Sequence, residues 1–233
     1  MGVCSEVNKM TDEDIKKHMK KTGTTTIGIM CKEAVIMATD KRMTLGGGGM
    51  PLFVAHKKAD KVYLINDRMA VTTAGNVSDI QYTLKLTKSE LKIKKLRSKT
   101  EPTVKEVANL YGMIAYEAIR RYSPVIAITG FLVGGMDGKG FWLYGVDPDG
   151  SVIEHKNYLA DGSGMIVAYG VLEDSWKENL STEEGIKLAV RTVNASMQRD
   201  TGSGEGIDVV VIDKNGARKV VEEEVKHVLV PRK

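Results

Sequence analysis

The sequence is poor in the residues that most often carry covalent and metal chemistry. Its 233 residues include only two cysteines, four histidines and five prolines, and aromatics make up 6%. Cys4 and Cys31 form no CxxC pair. They offer no disulfide framework, and such sparse use fits a reducing, cytoplasmic setting. His18, His56, His155 and His227 are scattered, with no HExxH and no Cys/His cluster, so neither a metal nor another cofactor is expected. No apolar run approaches the ~20 residues of a membrane-spanning helix. Residues 1–23 are polar, carry Asp12, Glu13 and Asp14, and lack the apolar centre of a secretory signal. Gly46–Gly49 is not followed by the Lys-Ser/Thr of a phosphate-binding loop, and no GxSxG elbow occurs.

What remains is an ordinary globular composition, 42% apolar and 27% charged, enough for one substantial core. The net charge is +4. Much of the positive charge lies between Lys85 and Lys99, where Ile80, Leu84, Leu91 and also Leu86, Ile93, Leu96 recur at helical spacing. That pattern describes a helix with one buried face and one solvated basic face. No aromatic residues are interleaved as a nucleic-acid groove requires, so no nucleic-acid partner is expected.

Residues 1–23 read as a detachable leader, and 24–233 as a single domain. β-Branched and apolar runs predict strands at Thr24–Cys31 and Ala34–Asp40, then a flexible loop at Gly46–Gly49. Further strands follow at Lys61–Asn66 and Met69–Ala74. Helices are predicted at Ser78–Arg97 and, opened by the capping pair Thr103 and Glu106, from Thr103 to about Arg121. Strands return at Val125–Val133, Phe141–Val146 and Val152–Ala160. A second helix pair is expected at Gly164–Trp176 and Thr182–Arg199, then strands Ile207–Ile212 and Ala217–Val221 and a short helix at Glu222–Val228. Segregated blocks of strands and helices argue for an α+β fold, a four-layer αββα sandwich, rather than a doubly wound sheet.

The chemistry points to Gly23-Thr24-Thr25-Thr26-Ile27-Gly28. Alone, three threonines before isoleucine commonly just begin a strand. Here the polar leader stops at Gly23, and a cut there would place Thr24 at a new N-terminus. Such a threonine carries its hydroxyl nucleophile and a base, its own α-amine, on one residue. The ordinary α-amine pKa, about 7.7–8.0, suits that task, and no histidine is needed.

This hexapeptide resembles the processing site of catalytic proteasome β subunits, archaeal rather than eukaryotic in type, and the resemblance runs through Thr24–Val221. It is carried further by Ala38-Thr39-Asp40-Lys41-Arg42, Lys61-Val62-Tyr63, Thr73-Ala74-Gly75 with Asp79 and Gln81, and Gly162-Ser163-Gly164. Tyr169-Gly170-Val171-Leu172-Glu173, Gln198-Arg199-Asp200 with Ser203, and Ile207-Asp208-Val209 complete it. The stretch Gly46–Lys58 is longer than usual for the family.

The resemblance implies an N-terminal-nucleophile hydrolase that removes its own leader at Gly23-Thr24 and then cuts unfolded polypeptides as a threonine endopeptidase. It assigns Thr24 as nucleophile, Asp40 and Lys61 as the acid–lysine pair, and Gly75 as the oxyanion-hole residue. Ser163, Asp200 and Ser203 support the new amine. Thr73 is the specificity floor, with Met43, Ala59, Tyr63 and Val77 near it, and Thr44, Gly75 and Val77 hold an extended substrate. The small neutral floor implies cleavage after uncharged, medium to large apolar residues. Implied partners are the other β subunits of a seven-membered ring, α-type subunits and a regulatory ATPase. Two other readings share the fold: a noncatalytic ring subunit, which would lack the nucleophile or the lysine, and the bacterial two-component relative, which would lack Gln198-Arg199-Asp200 with Ser203.

Overall fold

The computed structural model describes residues 21–47, 50–123 and 127–225. The chain enters on a two-residue strand β1 (Lys21–Thr22) and forms the hairpin β2 (Thr26–Met30) and β3 (Ala34–Asp40). A second hairpin, β4 (Met43–Gly47) and β5 (Met50–His56), stands apart as a two-stranded sheet. Strands β6 (Val62–Asn66) and β7 (Met69–Asn76) lead into helices α1 (Val77–Ser98) and α2 (Val104–Arg120). Strands β8 (Thr129–Asp137), β9 (Gly140–Val146), β10 (Val152–His155) and β11 (Tyr158–Asp161) follow. Helices α3 (Met165–Ser175) and α4 (Thr182–Met197) and strands β12 (Gly206–Asp213) and β13 (Gly216–Glu224) complete the fold.

Two antiparallel sheets carry it. One runs β1-β7-β8-β9-β10 with β6 also on β7; the other runs β11-β2-β3-β12-β13. Alternation along β3 explains the layering. Val35 and Met37 face the opposite sheet, where they meet Leu132 and Leu143, with Val210 and Ile212 of the neighbouring β12 on the same inner face. Ile36 and Ala38 point the other way, into a core with Leu172, Ala189 and Val193 of α3 and α4. On the far side Val71, Phe131, Val133 and Tyr144 pack against Val104, Val107 and Tyr111 of α2. Helices cover both outer faces of a double sheet, the expected αββα sandwich of an α+β N-terminal-nucleophile hydrolase.

Capping boxes open α2 (Thr103 with Glu106) and α4 (Ser181 with Glu184), each closing orphan N–H groups of the first turn. Four local expectations are corrected. The run Val152–Ala160 is two strands: β10 pairs with β9, whereas β11 pairs with β2 in the other sheet, so the chain crosses between sheets at Lys156-Asn157. Glu222–Glu224 continues β13, paired through Asp208↔Glu222, in place of a helix start, and residues 226–228 lie outside the described residues. The strand expected from Val125 begins at Thr129, with 124–126 outside the described residues. Of the loop expected at Gly46–Gly49, Gly46 and Gly47 belong to strand β4, where Gly47 pairs with Met50, and residues 48–49 lie outside the described residues. The C-terminal half of α1 also leaves Ile93 and Leu96 exposed, because only its first turns, through Ile80 and Leu84, reach the core.

Candidate active site

The start of β2, the end of β3, the residue before β6 and the end of β7 converge at one end of the double sheet. There Thr24, Asp40 and Lys61 are all buried. Lys61 Nζ lies 2.8 Å from Asp40 Oδ1 and 3.0 Å from Thr24 Oγ1. It also donates to the Gly23 carbonyl at 3.0 Å. Thr24 Oγ1 donates to that same carbonyl at 2.7 Å, so hydroxyl, ammonium and the Gly23 carbonyl share one small volume. The backbone of Lys61 is fixed because its carbonyl accepts from Thr73 N at 2.9 Å.

The Asp40 carboxylate is held by four donors. Oδ1 accepts from Lys61 Nζ and from Thr25 N, and Oδ2 from Arg42 N and Gly204 N. Burial pushes the Lys61 ammonium below its ordinary 10.5, while Asp40 and Asp200 work in the other direction and the Arg42 guanidinium adds to the depression. A less stable ammonium beside a hydroxyl is one that can exchange a proton with it.

A second network surrounds the backbone nitrogen of Thr24. Thr24 N donates to Ser163 Oγ at 3.1 Å, and Ser163 Oγ donates to Asp200 Oδ2 at 2.7 Å. Ser203 Oγ reaches the same carboxylate oxygen at 2.6 Å and lies 2.8 Å from Thr25 Oγ1. The loop is drawn close by glycines. A Cβ on Gly162 would sit 2.2 Å from the Thr24 carbonyl oxygen, which only hydrogen permits.

Gly75 has φ +119°, and a Cβ there would meet the Ile128 carbonyl oxygen at 2.1 Å, so the position requires glycine. It pairs with Thr22, which lays strand β1 antiparallel along the end of β7. Thr44 stands apart from the other predicted substrate residues: its Oγ1 accepts from Gly23 N at 3.0 Å. Met43, Ala59, Tyr63, Thr73 and Val77 line one cavity of about 260 Å³ beside Lys61. Asp40, Lys61, Thr44, Ser163, Asp200 and Ser203 therefore gather around the Gly23–Thr24 bond, and the remaining predicted substrate residues line the neighbouring cavity.

Comparison with known proteins gives the family. A family model described as "Proteasome subunit" matches residues 20–212. The chain is 41% identical over 220 residues to the "Proteasome subunit beta" of Archaeoglobus fulgidus, covering 94% of this chain and 97% of the relative. The chain belongs to the proteasome β-subunit family. Its likeness to the "Proteasome subunit beta" of Methanosarcina barkeri is 40% over 215 residues, covering 92% and 97%, and to that of Methanobrevibacter smithii 40% over 207 residues, covering 89% and 95%.

Against that family frame, sequence reasoning missed several neighbours. His56, Lys58, Asp60, Ile80 and Gln81 also line the cavity. Arg42 holds the loop bearing Asp200 and Ser203 through Thr201 O at 3.0 Å and Glu205 Oε1 at 3.1 Å. Arg42 and Gln81 stand in motifs quoted for the resemblance, which was the available signal. Lys58 and Asp60, charged residues in a connecting segment, gave none. Among the described residues no group of three or more His, Cys, Asp or Glu is placed to hold a metal, and no helix is long and apolar enough to cross a membrane.

Proposed function

We propose that this proteasome subunit is a threonine endopeptidase of the core particle that first cuts its own chain between Gly23 and Thr24. The observation that carries the reading is the triple contact of Lys61 Nζ with Asp40, the Thr24 hydroxyl and the Gly23 carbonyl.

In the intact chain the Thr24 nitrogen is an amide and cannot act as base. Lys61, its charged form disfavoured by burial, accepts the Oγ1 proton in its uncharged state. Oγ1 then attacks the Gly23 carbonyl carbon and a tetrahedral oxyanion forms. The C–N bond breaks, and the proton returns to the departing nitrogen. Residue 24 now carries a free amine and, on Oγ1, the ester of the leader. Water adds to that ester and the leader leaves as a carboxylic acid.

The freed amine lies among Ser163, Asp200 and Ser203 and serves as the proton acceptor when Thr24 attacks other peptides, with Lys61 as a neighbouring ammonium that lowers the amine's basicity. Gly75 N–H is the assigned oxyanion donor, a role typically worth about 10²–10³ in rate. The 260 Å³ cavity takes the side chain before the cut, and its Thr73 floor suits uncharged, medium to large apolar residues. The partners proposed from the family are sister β subunits in a seven-membered ring, α-type rings, a regulatory ATPase and unfolded polypeptides, in the cytoplasm.

The test is coexpression with an α-type subunit, comparing wild type and Thr24→Ala. Leader release and peptidase activity in the wild type, both lost in the variant, support the proposal. Leader release by purified Thr24→Ala particles defeats it.

A further inference from the structure

One nucleophile would serve two kinds of chain, and the leader is seated in a way that other peptides cannot copy. Gly23 lies back to back with Gly202: a Cβ on residue 23 would fall 2.1 Å from Gly202 Cα and 2.8 Å from its carbonyl carbon. Both neighbours are backbone, so nothing flexible can move aside. A residue bound as Gly23 is bound therefore has no side chain, and the cavity lined by Met43, Ala59, Tyr63, Thr73 and Val77 receives nothing from it.

A peptide that fills that cavity must turn its last residue so that Cβ points there. The amide nitrogen and Cβ are both bonded to one tetrahedral Cα. Turning one while the carbonyl stays at Thr24 Oγ1 also turns the other. The contact of Gly23 N with Thr44 Oγ1 at 3.0 Å thus belongs to the glycine-only arrangement. The segment before the cut is thus held from the β4 side at Gly23 and from β7 at Thr22, which pairs with Gly75. Thr44 is buried and the bond itself is part-buried, so water competes only partly for that N–H.

We infer that the Thr44 hydroxyl is a leader-binding group, aiming the Gly23 carbonyl for self-cleavage more than it assists cleavage of other chains. This deepens the proposed self-cleavage and rests on it.

The experiment uses the full chain coexpressed with an α-type subunit, following leader release by intact mass after a pulse of synthesis. Peptide turnover is then measured per subunit that starts at Thr24. For Thr44→Val, isosteric but without the acceptor, release slows by about tenfold, since a part-buried N–H loses its acceptor and the Gly23 carbonyl loses its aim. Turnover per processed subunit falls by a distinctly smaller factor. Thr44→Ser keeps the hydroxyl and releases its leader within about threefold of wild type. Assembled Thr44→Val particles that keep the leader altogether are the extreme of the expected result. Should the valine chain fail to enter particles, Thr44→Ala is read in the same way. Equal losses in both reactions, or serine failing to restore release, overturn the inference. Failure of the underlying reading looks different: Thr24→Ala would then release its leader whatever Thr44 does.

Discussion

At the scale of single residues, the site rests on one lysine placed where three functions meet. Lys61→Ala removes the proton acceptor, and leader release should fall by roughly 10²–10⁴-fold, followed by intact mass. Lys61→Arg keeps the charge but holds its proton throughout the accessible range. The pH dependence follows from the sign of the shift. The active form is the uncharged amine, burial holds its pKa below 10.5, and its fraction grows as pH rises toward that value. Release in the wild type should therefore speed up with rising pH and stay flat and slow in Lys61→Arg. A wild-type rate that falls as pH rises would refute the assignment. Gly23→Ala places a methyl on the Gly202 backbone and should slow release strongly while particles still form.

At the scale of strands and their connections, a buried ion pair outside the reaction ties the site together. Lys41 Nζ meets Asp208 Oδ1 at 2.9 Å, and the exposed Glu222 at 3.1 Å. The Lys41 backbone links the segments that bear the catalytic groups, donating to Gly204 O and accepting from Ala59 N. Asp208→Asn strips a buried ammonium of its main partner and should cost about 3–5 kcal/mol in denaturant unfolding. Glu222→Gln, at the surface, should cost about 1 kcal/mol or less. Equal costs would contradict the burial argument. Legibility at this scale followed the strength of local signals. The β2–β3 hairpin and the two capping boxes could be read because apolar periodicity and cap spacing are local facts. The break inside Val152–Ala160 could not, since Val152-Ile153 and Tyr158-Leu159 both read as strand and only pairing with two different sheets separates them. The same holds for Glu222–Glu224, an acidic run whose strand state comes from its partner β12. At the site, Thr24 was legible from the end of the polar leader as well as from the family's motifs, Asp40 and Lys61 only through those motifs. A threonine, an aspartate and a lysine at those separations carry no geometric signal of their own. The Thr44 hydroxyl contact was invisible, because it depends on how the leader is seated.

At the scale of the whole molecule, the double sheet serves as a rigid frame that brings residues 24, 40, 61, 75, 163, 200 and 203 to one end. Its inter-sheet core is continuous, with Leu132 and Leu143 meeting Val35 and Met37. Leu143→Ala should cost about 2–5 kcal/mol of stability. Because Leu143 lies away from Thr24, leader release by the variant chains that fold should stay near the wild-type rate. The central claim is that the nucleophile is created by cutting before it. Its most direct test is the intact mass of the subunit in particles actively hydrolysing peptides, read beside Thr24→Ala particles assembled in the same way. The account predicts a chain beginning at Thr24 in the wild type and an uncut Gly23–Thr24 bond, with no peptidase activity, in the variant. Fully active wild-type particles that still carry residues 1–23 would contradict it.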